Sequence, residues 1–145
     1  MDNDDDKNPA RKVIADYAQE RFRYFRTADG TVYAQRKGHP VARPIRSQGT
    51  TGSHRQELMV GLFRDGLGTF NGTAMKEALD LIEALALTEQ VQPVHIRVAP
   101  GFDGATWLDL GRNDGQSLRT HPTGWDTATP DPAEACWLRA QLTAR

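Results

Sequence analysis

Arginine presents a planar fork of donors that fits phosphate or carboxylate better than the point charge of lysine does. Eight arginines and two lysines fall within residues 11–55, against three acidic residues, Asp16, Glu20 and Asp29. From residue 56 onward, seven basic side chains stand against twelve acidic ones, so the formal net charge of −1 conceals a sorted chain. Nearby in sequence there are too few carboxylates to neutralise the basic segment, which therefore reads as a docking face for an anion. Arg21, Arg23, Arg26, Arg36, Lys37, Arg43, Arg46 and Arg55 are the candidate nucleic-acid-binding residues. Several arginines neutralising phosphates would bind strongly, with salt sensitivity and little sequence preference. DNA, single-stranded or junction-like rather than a specific duplex, is the expected partner. Tyr24, Phe25 or Tyr33 would stack on bases if exposed. The plainer reading is a solvated surface that offsets the acidic remainder.

Other chemistries find little support. Gly61 to Gly72 lacks the Gly-Lys-Ser/Thr ending of a nucleotide-binding loop. His39, His54, His95 and His121 are scattered, and none has a second His or a Cys at zinc-ligand spacing. Cys136 with His95 or His121 and Asp109 would make a nucleophile–base set, but nothing in the sequence brings them together. No metal, cofactor or catalytic residue is therefore expected, and the chain reads as a non-enzyme. A symmetric register of strands 94–98 and 106–110 would set Arg97 against Trp107 and His95 against Asp109 on the non-core face. Such a group resembles a base-stacking platform. Cross-strand pairing is the favoured reading, because Asp109 would repel phosphate there.

The elements that position these residues follow from periodicity and turn chemistry. Ile14, Tyr17, Ala18, Arg21, Phe22 and Phe25 at helical spacing predict a helix from about Pro9 to Tyr24. Asp29-Gly30 predicts a hairpin between Tyr24–Thr27 and Thr31–Arg36, followed by a strand Val41–Arg46 whose Pro44 points to an edge. Ser53 with Gln56 forms a capping box for a helix through about Asp65, with Leu58, Met59, Leu62 and Phe63 as its buried stripe and Gly66 as its stop. Asn71 or Thr73 caps a helix to about Thr88, with Ala74, Ala78, Leu81, Ile82 and Leu85 as its seam. This pair is either a helix-turn-helix or an αα-hairpin on a sheet, and Glu77, Asp80 and Glu83 make its second helix a poor DNA reader. Strands follow at Val94–Val98, Thr106–Leu110 and Ser117–His121, with a fourth starting near Gly124-Trp125. Asp131-Pro132-Ala133-Glu134 predicts a C-terminal helix to about Leu142. The fold class is α+β, in the order α-βββ-αα-βββ(β)-α, with helices packed on antiparallel sheet.

The bulk numbers frame this. With 145 residues, 38% hydrophobic and 26% charged, the chain is expected to form one domain over residues 9–145 behind a disordered acidic tail, residues 1–8. The longest apolar stretch, near Ala84 to Leu87, is far too short to span a bilayer. A single cysteine leaves no internal disulfide and fits a cytoplasmic setting.

Three stretches in order carry a resemblance: Thr27-Ala-Asp-Gly-Thr-Val-Tyr-Ala34, Arg43-Pro-Ile-Arg-Ser47, and Pro93-Val-His-Ile-Arg-Val-Ala99 followed by Trp107-Leu-Asp-Leu-Gly111 and Gly124-Trp125. Together they resemble a module found in phage and integrated mobile-element proteins, preceding P-loop ATPase or helicase regions of primase-helicase or replication type. The resemblance spans about residues 10–127. It implies a part in DNA replication or processing and brings no catalytic residues. An accessory DNA-binding domain of such a protein is the leading expectation, with a helicase or ATPase partner or self-association possible in that setting. The alternative is a protein-interaction or oligomerisation module that docks an acidic partner surface through the Arg-rich half.

Overall fold

Pro9 opens α1 (Pro9–Arg21), at a first-turn position that needs no N–H. The computed structural model describes residues 9–46 and 53–139. The expected acidic tail, most of the Ser47–Ser53 loop and the far end of the C-terminal segment lie outside the described residues. After α1 come β1 (Phe22–Arg26), β2 (Val32–Arg36), β3 (Val41–Pro44), α2 (His54–Arg64) and α3 (Gly72–Ala86). Then follow β4 (Val98–Pro100), a short 3-10 turn, β5 (Thr106–Asp109), β6 (Ser117–His121), β7 (Gly124–Ala128) and β8 (Trp137–Leu138). One sheet has the order β1-β2-β3-β8 and the other β4-β5-β6-β7. The fold is α+β, as the periodicity indicated. Among the described residues no helix is long and apolar enough to cross a membrane.

The chain divides into two compact units, Met1–Ala34 with Pro44–Val91, and Gln35–Arg43 with Gln92–Arg145. In the first, α1 buries Ile14, Ala15, Tyr17 and Ala18 on the expected stripe. The helix stops at Arg21, earlier than its periodicity indicated, because Phe22 to Arg26 alternates in strand fashion. Phe22 and Tyr24 pack on the aliphatic core, while Phe25 stacks on Tyr33 with ring centroids 5.6 Å apart. Aromatic residues suit a half-buried pleated surface better than a helix interior.

The caps of α2 and α3 are the expected ones. Ser53 accepts from the Gln56 N–H at 3.2 Å, and Asn71 accepts from the Ala74 N–H at 2.8 Å. Gly66, with φ of +79°, ends α2 in the left-handed region. On α2 the buried stripe is His54, Leu58 and Leu62, whereas Met59 and Phe63 are exposed, contrary to expectation. Gly61 permits this packing, since a Cβ there would collide with the Tyr17 hydroxyl. On α3 the buried set is Ala74, Met75, Ala78, Leu79, Ile82 and Ala86, with Leu85 turned outward.

The second unit departs further from its periodicity. Arg97 has φ of +68°, and the Val98 N–H donates to the Ile96 carbonyl at 2.8 Å, which is a γ-turn. Register runs Val98↔Leu108 and Ala99↔Trp107, so Trp107 faces the core beside Ala99 and Trp137, and Ile96 and Val98 face solvent. The expected Arg97–Trp107 and His95–Asp109 pairs therefore do not form. Strand β6 matches its predicted range, and β7 begins at Gly124 as expected.

The C-terminal helix is replaced by one turn and a strand. Asp131 does accept from the Ala133 N–H at 2.8 Å, as a cap would. Beyond it, the Trp137 N–H donates to the Pro40 carbonyl at 2.6 Å and the Leu138 N–H to the His95 carbonyl at 2.9 Å. Parallel pairing with β3, at Val41↔Trp137 and Ala42↔Leu138, satisfies the backbone instead of helical bonds. Strand β3 is consequently interior to its sheet. Pro44 is tolerated because it lies past the residues that β8 pairs.

Candidate nucleic-acid interface

The structure gives the eight predicted cations very different surroundings. Arg21 lies over the Tyr17 ring at 3.8 Å and pairs with Asp65 at 3.2 Å, while Tyr17 donates to the same carboxylate at 2.7 Å. Arg46 pairs with Glu83 at 2.8 Å and with Asp80, both on α3. The hydrogen bonds that it donates to these two carboxylates hold the Arg46 guanidinium even more firmly protonated than usual. Carboxylates far away in sequence thus neutralise these two arginines, which the local count of acidic residues did not show. Arg26 donates from Nε to the Glu89 carbonyl at 2.8 Å, beside a parallel bridge from Arg26 to Val91. Arg23 lies over Phe25, 4.8 Å from the ring centroid.

Arg36, Lys37 and Arg43 are exposed, and all three belong to the second unit. A tight turn positions the first two, closed by the His39 N–H donating to the Arg36 carbonyl at 3.0 Å. The buried Gln35 amide braces it by donating to the His39 carbonyl at 2.8 Å. His39 is fixed in turn: Nε2 donates to the Asn113 carbonyl at 2.9 Å and Nδ1 accepts from the Val41 N–H at 3.3 Å. A single tautomer, with its proton on Nε2, satisfies both contacts. The hairpin tip is thus held by its own side chains, with its cations outward. Arg55 is exposed as well, on α2 in the first unit.

The aromatic residues proposed for base stacking are not available. Phe25 and Tyr33 are buried against each other, and the Tyr24 hydroxyl is 2.7 Å from His54 Nε2. His54 is fully buried and meets Glu57 through Nδ1 at 3.2 Å, giving a Tyr24–His54–Glu57 chain that sequence reasoning missed. Its detectable signal was the spacing of His54 with Leu58 and Leu62, which puts an imidazole on the apolar stripe. Burial, and then the Glu57 charge, push the Tyr24 phenol well above its ordinary range. The phenol therefore stays protonated and acts as a hydrogen-bonding group of the core rather than as a nucleophile.

In the second unit, Asp109 is gripped by Arg139 through two bonds of 2.8 and 2.7 Å. Burial works to raise its pKa, but the Arg139 and Gly111 hydrogen bonds, with the Arg139 and Arg97 charges, hold it below the ordinary range. Arg119 forks onto Asp126 at 2.9 and 2.5 Å and lies over Trp107. The His95 N–H donates to the Cys136 carbonyl at 2.9 Å, so their main chains do meet, but Cys136 is buried and Asp109 is committed to Arg139. Among the described residues no three His, Cys, Asp or Glu side chains converge as a metal site would require.

No curated protein and no solved structure matches the chain significantly. Residues 11–88, more than half of the chain and including all eight predicted cations, match the family model described as the AICE Reps-like N-terminal domain. The chain belongs to that family, a module that its name associates with replication proteins.

Proposed function

We propose that the chain is a non-enzymatic accessory module of a DNA replication protein from a phage or an integrated mobile element. It acts in the cytoplasm and holds DNA through its phosphates. The observation that carries this reading is the β2–β3 hairpin. It exposes Arg36 and Lys37 on a braced turn and Arg43 on the adjoining strand β3. Cations on a preformed turn lose little freedom when they meet an anion, and several together give sequence-tolerant binding. Arg21 and Arg46 act differently, holding Asp65 and the α3 carboxylates within the first unit. Groove reading by α3 is not part of the proposal, since its carboxylates Glu77, Asp80 and Glu83 would face phosphate. With the aromatic side chains buried, affinity comes from charge rather than from stacked bases.

Fluorescence anisotropy with labelled single- and double-stranded DNA at two salt concentrations tests the reading. Binding should weaken steeply with salt. The combined Arg36→Ala, Lys37→Ala and Arg43→Ala variant should reduce the salt slope by about 2 to 3, at roughly 0.7–0.9 per phosphate contact. Arg46→Ala should leave DNA affinity unchanged. No binding at low salt, or equal loss from Arg46→Ala and the hairpin variant, would overturn the proposal.

A further inference from the structure

We propose that the outward face of α2 docks an acidic amphipathic segment of a partner protein. A helix that buries one apolar stripe ordinarily turns a polar face to water. Helix α2 does the first with His54, Leu58 and Leu62 but not the second. Met59, Val60 and Phe63 are 43%, 49% and 67% exposed. At about 100° per residue these three fall within one arc opposite the buried stripe, with Gln56 beside them. Three neighbouring large apolar side chains on one helix face are an unusual exposure for a stable surface.

The borders of this arc state the chemistry of the occupant. Arg55 and Arg64 are both exposed and lie about half a turn apart around the axis, one on each side of the apolar stripe. Among the described residues neither forms an ion pair. The helix carries one acidic residue, Glu57, and it is turned away toward His54; Asp65, at the C-cap, is held by Tyr17 and Arg21. The face is therefore an apolar strip with a cation on either margin and no anion. Its complement is a strip of apolar anchors flanked by carboxylates, the pattern of an acidic amphipathic helix.

Nucleic acid fits less well, because phosphates would engage the two arginines and leave Phe63 and Val60 in water. A second copy of this chain also fits less well. The carboxylates of α3 that might serve, Asp80 and Glu83, already hold Arg46. This surface shares no residue with the β2–β3 hairpin, so the inference does not depend on DNA binding.

The test uses the full chain, isotopically labelled, with a synthetic amphipathic peptide of about 18 residues bearing Leu on one face and Glu on its flanks. A counterpart carries Lys in place of each Glu. The acidic peptide should bind at least about tenfold more tightly and shift amide signals of α2, and Phe63→Ala should weaken it by about tenfold. The double variant Arg55→Glu, Arg64→Glu should reverse the preference toward the Lys peptide, an outcome that misfolding cannot mimic. Equal binding of both peptides, amide shifts confined to other elements, or no binding would overturn the proposal. So would a DNA oligonucleotide that shifts the α2 amides, or a dimer that Phe63→Ala dissolves.

Discussion

In the first unit the core is chiefly aliphatic, with Ile14, Leu58, Leu62, Met75 and Ile82 among its most buried members. In the second unit the two largest buried side chains are Trp107 and Trp137, and each has a polar handle. Trp107 Nε1 donates to Glu134 at 2.8 Å, and Trp137 Nε1 donates to Ser117 at 3.0 Å. Glu134 also accepts from the Phe102 N–H at 2.9 Å, so one carboxylate oxygen satisfies a ring and a turn. In the first unit the directed bonds of Tyr17 and Tyr24 lie beside an aliphatic core, whereas in the second the two largest buried rings are themselves fixed by directed bonds. A small, strand-rich unit with few long helices gains orientation from such bonds that burial alone does not supply.

The contrast can be broken most forcefully at Trp137. Trp137→Ala should cost about 4 kcal/mol and Leu58→Ala about 3 kcal/mol. Hydrogen exchange shows where each loss is felt. Protection lost by Trp137→Ala in β4 to β7 but retained in α1 to α3 would establish two separately unfolding units. A uniform loss would show that the two cores depend on each other. A smaller effect is expected at Glu134. Glu134→Ala leaves the Trp107 and Phe102 N–H groups without their acceptor and should cost about 1–3 kcal/mol, measured by urea unfolding. An effect below a few tenths would mean that the ring is held by packing alone.

The smallest expected effect is on acid sensitivity. Asp109 is held low despite its burial, Asp126 is lowered by its Arg119 bonds, and Asp114 is drawn down to about 2 by Arg112. In the first unit Asp29 is lowered, by bonds from Thr27 and the Thr31 N–H. A carboxyl group with a folded pKa below its unfolded value near 3.9 stabilises the fold above that pH. The contribution is lost as pH falls through the folded value. The second unit should therefore be the first to loosen below about pH 4, followed by circular dichroism. Asp109→Asn removes the stabilisation that the ionised carboxylate supplies and should shift that transition to a higher pH. An unchanged transition would mean that the Asp109–Arg139 pair contributes nothing.

The helical unit was largely legible because its signals are local. Ser53, Asn71 and Gly66 mark caps and stops within a few residues of the backbone groups they serve. The second side of α2 was not legible, since Met59 and Phe63 carry the same apolar signal as Leu58 and Leu62, and tertiary packing chose between them. In the strand-rich unit Ala99 and Trp107 took the inner face and Val98 the outer one, and alternation alone does not say which of two faces is buried. Asp131 and Glu134 have the spacing of a capping box, yet Glu134 binds Trp107, 27 residues away in sequence. For the candidate site, exposure of Arg36, Lys37 and Arg43 agreed with their sequence. The partners of Arg46 lie 34 and 37 residues away, beyond what a local charge count detects.

The aromatic residues are also divided between the units. Tyr17, Tyr24 and Tyr33 all belong to the first, and Trp107, Trp125 and Trp137 all belong to the second, which exhausts both residue types in the chain. The protein thus carries an intrinsic chromophore for each half and needs no label to distinguish them. Indole emission, excited selectively at the red edge, follows one half, and phenol absorbance follows the other. Trp125, exposed to 73%, will dilute the indole signal with a component that reports solvent in every state. Trp125→Phe would remove that background and leave Trp107 and Trp137 as paired internal reporters.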